Sequence, residues 1–356
     1  MNDNDIFIGV MSGSSIDGLD IIACIFSSEK YQIIAFRTYE ISSSLSHKLK
    51  VIRETNILDF LRTKSEYSIY IADCLLDFIS SNNLQNINLV VIHGHTVLHE
   101  PKAKVSEQMV DGGLICSLID LNVLVDLRIQ DIGKGGEGAP LAPTVEKLIN
   151  KGNCFINLGG ICNISIHSSN NIIAYDISPC NQLLNFIAGK LGLPFDPDGE
   201  IGAEGKIIPK LLNQWKSIPY FNQIPPKSLD NSWIETHFLS TLPNASPADL
   251  LQTAYQFISE CIFEAVASEQ DSIEKVVITG GGAHNKYLMQ VLNSKISKLD
   301  ITIELVDNLL IDAKEALLMA YMGYLYVNNK PNTISDATGA KESVIAGGLY
   351  KCKPTI

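Results

Sequence analysis

The sequence predicts an α/β chain of two domains built on a repeated plan, and three observations carry that expectation. Between Gly9 and Asp20 an apolar start breaks into a turn of Ser, Gly and Asp, then returns to the apolar run Ile21-Ile22-Ala23-Cys24-Ile25. The pattern restarts where Cys154-Phe155-Ile156 runs into Asn157-Leu158-Gly159-Gly160-Ile161-Cys162-Asn163 and leaves through Ile164-Ser165-Ile166. The length, 356 residues, also exceeds the ~250 to 300 at which single hydrophobic cores stop growing.

After the opening hairpin a third strand is expected over Tyr31 to Thr38. Ser46 to Ser80 has helical spacing, with Leu58, Leu61, Tyr67, Ile71, Cys74 and Leu75 on one apolar face. Leu89-Val90-Val91-Ile92 reads as a strand buried on both faces and runs into His93-Gly94-His95-Thr96. A helix near Gly112 to Asp120 precedes the strand Val123-Leu124-Val125-Asp126, followed by Leu127-Arg128. Such strand ends are where open α/β sheets carry ligand chemistry. Ile132 to Leu141 is too glycine-rich for regular structure and reads as a hinge or domain crossing, with a helix starting at Pro143. Asn213 to His237 is expected to be irregular, while Pro247 to Ala267 and Asp312 to Asn328 are long helices. The small-residue tail should pack on the first domain, giving residues 1–131 with 332–356 as one domain and 132–331 as the other.

Composition excludes several classes. With 46% hydrophobic residues the chain can bury a sizeable core, and a formal net charge of −12 argues against a nucleic-acid binder. The eight cysteines are scattered, mostly in apolar runs and without a Cys-x-x-Cys pair, so they read as reduced and mostly buried in a cytoplasmic protein. No run approaches the ~20 apolar residues of a membrane span, and the acidic start Met-Asn-Asp-Asn-Asp is unlike a signal peptide.

The opening turn suits a phosphate. Backbone N–H groups around Gly9, Gly13 and Gly18 can form an anion nest, with Ser12, Ser14 and Ser15 adding hydroxyl donors. Asp17 and Asp20 would then hold Mg²⁺ or its waters, a hard cation that prefers oxygen. An ordinary hairpin turn explains the same residues. The second turn offers Asn157, Gly159, Gly160 and Asn163. A third glycine turn follows the strand Lys275-Val276-Val277-Ile278, where Gly280, Gly281 and Gly282 let a flat base or ribose approach and Asn285 opens a helix. His93, His95 and His99 lack a completing zinc ligand nearby. No Gly-x-Gly-x-x-Gly joins the first strand to a helix, which disfavours a dinucleotide-binding dehydrogenase.

With these pieces in order the chain resembles the anhydro-N-acetylmuramic acid kinases, bacterial sugar kinases of the actin, hexokinase and heat-shock ATPase superfamily. The family's Met-Ser-Gly-Thr-Ser-x-Asp-Gly is matched by Met11 to Gly18, with Ser14 for Thr. Its His-Gly-Gln-Thr-Val-x-His-x-Pro is matched by His93 to Pro101, with His95 for Gln. Asp126-Leu127-Arg128, Asp131 and Gly135 to Leu141 answer its Asp-Phe-Arg, Asp and Gly-Gly-Gln-Gly-Ala-Pro-Leu, with Glu137 for Gln. Asn157 to Asn163, Thr279 to Asn285, Glu315-Ala316 and Thr338-Gly339-Ala340 also fit. The chain departs at Asp176-Ile177-Ser178-Pro179-Cys180-Asn181, where the family has Asp-Thr-Gly-Pro-Gly-Asn. It departs again after Pro226-Lys227-Ser228, where the family's Gly-Arg-Glu is missing.

The resemblance implies an actin-like ATPase fold, a duplicated ribonuclease-H-like α/β architecture with the nucleotide in the interdomain cleft. It implies a cytoplasmic kinase, a homodimer, that uses ATP and Mg²⁺ to open a 1,6-anhydro amino sugar with water and to phosphorylate the freed O6. By resemblance Asp176 is the base that activates the water. From the residues alone, a strand-terminal Asp capping the helix at Asn181 is the favoured reading. Arg128 would clamp the sugar's carboxylate, and His95, Thr96 and Glu315 would meet the sugar. Structural pairing of Arg128 with Asp126 or Asp131, and a surface place for Glu315 beside a solvent-facing Lys314, are the alternatives. The departures leave open a different sugar or a non-catalytic ATP-binding regulator.

Overall fold

The structure, a computed structural model, describes residues 4–13, 16, 18–27, 30–149, 151–168, 171–225, 227–304 and 306–352. Ser14, Ser15 and Asp17 of the first turn lie outside these described residues. The chain divides into two compact units, Met1–Ile149 with Ala313–Ile356, and Asn150–Asp312.

In the first unit, β1 (Ile6–Ser12), β2 (Gly18–Ser27) and β3 (Lys30–Glu40) form an antiparallel meander, and β4 (Ile87–His93) lies parallel to β1 on its other side. A separate hairpin follows, β5 (His95–Glu100) with β6 (Val105–Met109). Beyond it β7 (Val123–Val125) joins β4 in parallel, and the C-terminal strand Gly348–Tyr350 closes that edge antiparallel to β7. Burial follows position. The inner strand β1 is buried almost throughout, whereas the edge strand β3 alternates and carries Lys30, Gln32 and Arg37.

In the second unit, β8 (Cys154–Leu158), β9 (Ile161–His167) and β10 (Ile172–Pro179) form the antiparallel meander. β11 (Lys275–Thr279) lies parallel to β8, and β12 (Thr302–Glu304) parallel to β11. The strand order is therefore 3-2-1-4-5 in each sheet, counted within its unit and leaving out the separate hairpin and the closing strand. A meander followed by two parallel additions, occurring twice, is the duplicated ribonuclease-H-like plan of the actin-like ATPase fold.

Several elements differ from expectation. The helix expected over Ser46 to Ser80 is two helices, Ser43–Lys50 and Ile57–Ser81, because Asn56 turns its side chain back to accept from the backbone N–H groups of Leu58 and Asp59, 3.0 Å each. Leu58 and Leu61 fall on its exposed side, at 53% and 54%, while Thr63, Tyr67, Ile71, Leu75 and Phe78 are buried. The Asn213 to His237 stretch is largely helical, with Pro209–Lys216 and Asn231–His237, and Trp215 and Ile234 anchor it in the core. The glycine-rich segment after Ile132 is no crossing. It belongs to the first unit, as do residues 313–331, so the divisions fall after Ile149 and after Asp312 instead of at 131 and 331.

That glycine segment is held by one buried carboxylate. Asp131 accepts from the Gly138 N–H at 2.8 Å and from the Thr338 hydroxyl at 2.7 Å, and the Glu137 N–H donates to the Thr338 carbonyl at 2.8 Å. A Cβ at Gly136 would lie 2.2 Å from the Asp131 carboxylate, so only glycine lets the loop close around it. Gly9 is equally constrained. It sits inside β1, where a Cβ would lie 2.0 Å from the Ala316 carbonyl oxygen of the helix Asn308–Val327. Replacing Gly9 by Val should therefore lower unfolding stability by about 1–3 kcal/mol through overpacking. Thr338→Val, which strips a donor from buried Asp131, should cost about 1–3 kcal/mol. Denaturant midpoints with unchanged m values would check both.

Candidate functional site

The first unit gathers its polar residues at the carboxyl ends of β1 and β4. Met11 pairs with His93 in that parallel register, so Ser12 and the His93-Gly94-His95 corner leave the sheet side by side. Gly94 makes the corner possible, since a Cβ there would lie 2.5 Å from the Met109 carbonyl oxygen. Arg128, just past β7, donates from Nε to His93 Nε2 at 2.9 Å and from Nη1 to the Gly138 carbonyl at 2.7 Å. A guanidinium cannot accept, so His93 is neutral with its Nε2 lone pair toward Arg128. Burial, and then the Arg128 charge, hold the His93 pKa well below its ordinary value.

Arg128 therefore pairs with neither Asp126 nor Asp131. Its burial lowers its pKa to about 10, opposed by the carboxylate of Glu315. Its Nη2 makes no hydrogen bond among the described residues. The surface place for Glu315 holds, but the solvent-facing Lys314 it was drawn from does not. Lys314 is the buried one, 3.5 Å from buried Glu146, and Glu315 is exposed. His99 lies on the same side, with Nδ1 3.1 Å from the Ser106 hydroxyl. Burial and Arg128 lower the His99 pKa, and the Glu137 carbonyl opposes them.

His95 faces the first turn. It is buried, its pKa is lowered by burial, and the Gly13 carbonyl acts in the opposite direction. Among the described residues, His95 Nδ1 and Ser12 Oγ are buried without a hydrogen-bond partner of good geometry, and so is the Tyr67 hydroxyl beside Ser12. Buried polar atoms are ordinarily satisfied, so this corner has donors and acceptors to offer a ligand. Thr96 follows on β5, partly buried. Asp20 lies on β2, paired with Met11, and one of its oxygens accepts from the Thr38 hydroxyl at 2.6 Å. Gly18 is also required by packing: a Cβ there would lie 2.6 Å from Thr38 Cγ2 on β3, as one at Gly9 would meet the helix at Ala316.

In the second unit the register lines up three polar residues. Asn157 on β8 pairs with Asn163 on β9, and Asn163 pairs with Asp176 on β10. Directly paired residues share a sheet face, so two amides and a carboxylate stand in one row. The turn above them is fixed from behind: the Cys180 and Gln182 N–H groups donate to the Gly160 carbonyl, and the Asn181 N–H to that of Gly159. Asn181 also donates from Nδ2 to the Leu158 carbonyl at 2.8 Å.

The glycine triplet packs on the same turn. Gly280 has φ +83°, and a Cβ there would lie 2.5 Å from Asn157 Oδ1. Gly282 is closed by Leu158 and Asn181. Gly160 and Gly281 are different, since a Cβ on either would meet nothing nearer than 3.9 Å. Both are exposed, so their bare backbone faces open space that a nucleotide's phosphate or ribose fits. Thr279 Oγ1, at the start of this turn, is another buried atom without a partner among the described residues. The Asn285 side chain is already engaged: Oδ1 caps the helix Lys286–Ile296 through the Leu288 N–H and Nδ2 donates to the Tyr255 hydroxyl.

Asp176 sits within β10, which continues to Pro179 with an irregularity between Asp176 and Ser178. It caps no helix. Its Oδ2 accepts from the Leu229 N–H at 2.8 Å, and its pKa is pushed up to about 6 by burial, with the Leu229 N–H opposing. The residues after it, where the chain departs from its motif, point elsewhere. Ile177 and Cys180 belong to the hydrophobic core of this unit, and Ser178 is fully buried.

Missing from the sequence-based set were His93, which left its partner unannounced, Tyr220, which carried no signal, and Leu229, which acts through its backbone. Only the retained Pro226-Lys227-Ser228 pointed toward that segment.

The chain aligns over 89% of its length, and 96% of the other, with component A of the (R)-2-hydroxyglutaryl-CoA dehydratase of Acidaminococcus fermentans, at 13% identity and TM-score 0.47. A hexokinase of the ROK type from Thermus thermophilus aligns over 91% of this chain and 99% of its own, at 12% identity and TM-score 0.40. Both likenesses are remote. The family model described as anhydro-N-acetylmuramic acid kinase, in contrast, matches residues 5–352. The chain belongs to the anhydro-N-acetylmuramic acid kinase family.

Proposed function

We propose that the protein is an ATP-dependent kinase that opens 1,6-anhydro-N-acetylmuramic acid with water and phosphorylates O6, yielding N-acetylmuramic acid 6-phosphate for peptidoglycan recycling. The observation that carries this reading is Asp176, a carboxylate with a pKa of about 6 in a row with two amides. A base should have a pKa close to the working pH, low enough to be ionised and high enough to take a proton. Asp176 would take a proton from the water as its oxygen bonds to C1. The C1–O6 bond breaks, O6 keeps that electron pair and attacks the γ-phosphorus, and ADP leaves.

Arg128 would meet the sugar's carboxylate through its free Nη2, with His93 and Gly138 fixing the guanidinium plane. Thr96, His95 and Glu315 would contact the sugar. Ser12, Gly13, Gly159 and Gly160 would meet the phosphates, joined by Ser14 and Ser15 of the first turn, and Gly280 to Gly282 the nucleoside. Asn157 and Asn163 would orient the water and the phosphoryl group from the row they share with Asp176. Mg²⁺ supplies charge neutralisation on the phosphates when bound. Asp20, one oxygen already held by Thr38, fits a role through the ion's waters, with Asp17 as its neighbour in the turn. The core position of Ile177 and Cys180 supports the family's own sugar, because the bulk added there faces the protein interior. Such an enzyme works in the cytoplasm, as a homodimer, on small molecules alone.

ADP release with Mg²⁺-ATP should rise strongly on adding 1,6-anhydro-N-acetylmuramic acid, and a flat response would sink the substrate assignment. Asp176→Asn should abolish that stimulation while ATP affinity stays near normal. Arg128→Lys should raise the sugar KM about tenfold or more by losing the planar donor. Asp176 also has a stability signature. Its folded pKa is raised, so its contribution is fully present below about pH 4 and lost as pH rises through 6. Asp176→Asn should thus be more stable than the parent above pH 6, by on the order of 1–3 kcal/mol, with the gap closing near pH 4 in melts followed across pH.

A further inference from the structure

We propose that the segment bearing Tyr220, Lys227 and Leu229 is a strap that positions Asp176, with Tyr220 as a positioning residue. It rests on the reading of Asp176 as the base. Three hydrogen bonds from this segment converge on one residue. The Tyr220 hydroxyl donates to the Asp176 carbonyl at 2.8 Å, the Asp176 N–H donates to the Lys227 carbonyl at 3.2 Å, and the Leu229 N–H donates to Asp176 Oδ2 at 2.8 Å. Asp176 is thereby gripped at its backbone donor, its backbone acceptor and one carboxylate oxygen. The other oxygen, Oδ1, takes no hydrogen bond among the described residues and is the one placed to receive a proton.

The grip falls where the sheet itself is weakest. The β9–β10 register shifts between Asp176 and Ser178, so the ladder alone does not fix the direction of this carboxylate. The strap is tied in turn. Lys227 Nζ donates to the Tyr220 carbonyl at 3.3 Å and lies 4.9 Å from the centre of the Tyr220 ring and 5.6 Å from that of Tyr175. Tyr220 is buried, with its ring centre 5.2 Å from that of Trp233 and 5.4 Å from that of Phe221. The other ionisable groups that interact with Asp176 are Cys162 on β9 and the Tyr220 hydroxyl itself, and burial keeps both protonated well above neutral pH.

The test uses the full-length protein with Mg²⁺-ATP and 1,6-anhydro-N-acetylmuramic acid, comparing the parent, Tyr220→Phe, Leu229→Pro and Asp176→Asn. Both strap variants loosen or delete the N–H that favours the carboxylate form, so the acidic limb of kcat/KM should move up by about one pH unit. Activity should fall roughly tenfold at pH 6 and recover to within about threefold at pH 8.5, with the ATP KM unchanged. A residue needed only for folding would lower the melting temperature and leave the limb in place. Folded Tyr220→Phe with a parental pH profile and kcat overturns the strap, whether or not Leu229→Pro folds. Activity surviving in Asp176→Asn overturns the base reading instead.

Discussion

The polar corner of the first unit depends on the burial of the Asp131 carboxylate. A buried carboxylate is tolerable only when its oxygens are satisfied. Here the satisfying groups come from two places far apart in sequence, the glycine loop through Gly138 and the C-terminal segment through Thr338. Satisfying the charge therefore folds the loop and seats the tail at once. The Gly138 carbonyl, presented by the same loop, accepts from Arg128, whose other nitrogen donates to His93 at the end of β4. A chain of charge-assisted hydrogen bonds thus runs from the tail to the strand end, and among the described residues it leaves one guanidinium nitrogen without a partner. The loop is glycine-rich because the backbone must wrap a carboxylate, which is a different reason from flexibility.

How much of this was legible in the sequence varied with the kind of signal. The duplicated plan was visible because a strand, glycine turn, strand unit is a local pattern, and local patterns survive in one dimension. Burial was not. Leu58 and Leu61 fit the helical period as well as Ile71 and Leu75 do, yet they lie before the stretch of the helix that packs on the sheet. Gly9 and Gly18 look like members of a phosphate nest because they bracket the turn, and only the neighbouring Ala316 and Thr38 show that packing also requires them. Asn285 reads as a nucleotide contact and is engaged as a cap. Asp176 was found through its motif, but Leu229 acts through its N–H, which every residue except proline carries, so no side-chain pattern could announce it.

The departures from the motif are informative for the same reason. Replacing Thr and two glycines by Ile177, Ser178 and Cys180 looks, in sequence, like an altered site. In the fold these residues run beneath the turn, where Ile177 and Cys180 fill the core and the Cys180 N–H holds the Gly160 carbonyl. Bulk added on that side tightens the support of the turn and leaves the exposed face of Gly160 as bare as glycine makes it. His95 is the departure of the other kind. An amide carries a donor and an acceptor at fixed charge, whereas an imidazole offers one of each only while neutral. Burial keeps His95 toward that neutral form, so it can stand in for the amide beside the Gly13 carbonyl.

Two opposing influences set the character of Asp176, and neither alone makes a useful base. Burial without a donor would hold the carboxyl protonated into the neutral range, where it has no lone pair to offer. Several donors would stabilise the carboxylate so well that it would take a proton from water only weakly. One backbone N–H on one oxygen, set against partial burial, leaves the group near 6. The donor belongs to a segment outside the sheet, so the proton affinity of the base depends on where that segment rests. A side-chain donor would bring its own rotamers. A backbone N–H, carried by a segment whose Tyr220 hydroxyl and Lys227 carbonyl also bond the Asp176 backbone, holds its direction with less freedom to lose. The carboxylate is thus oriented and tuned by the same bond, which explains why one short segment can serve both requirements.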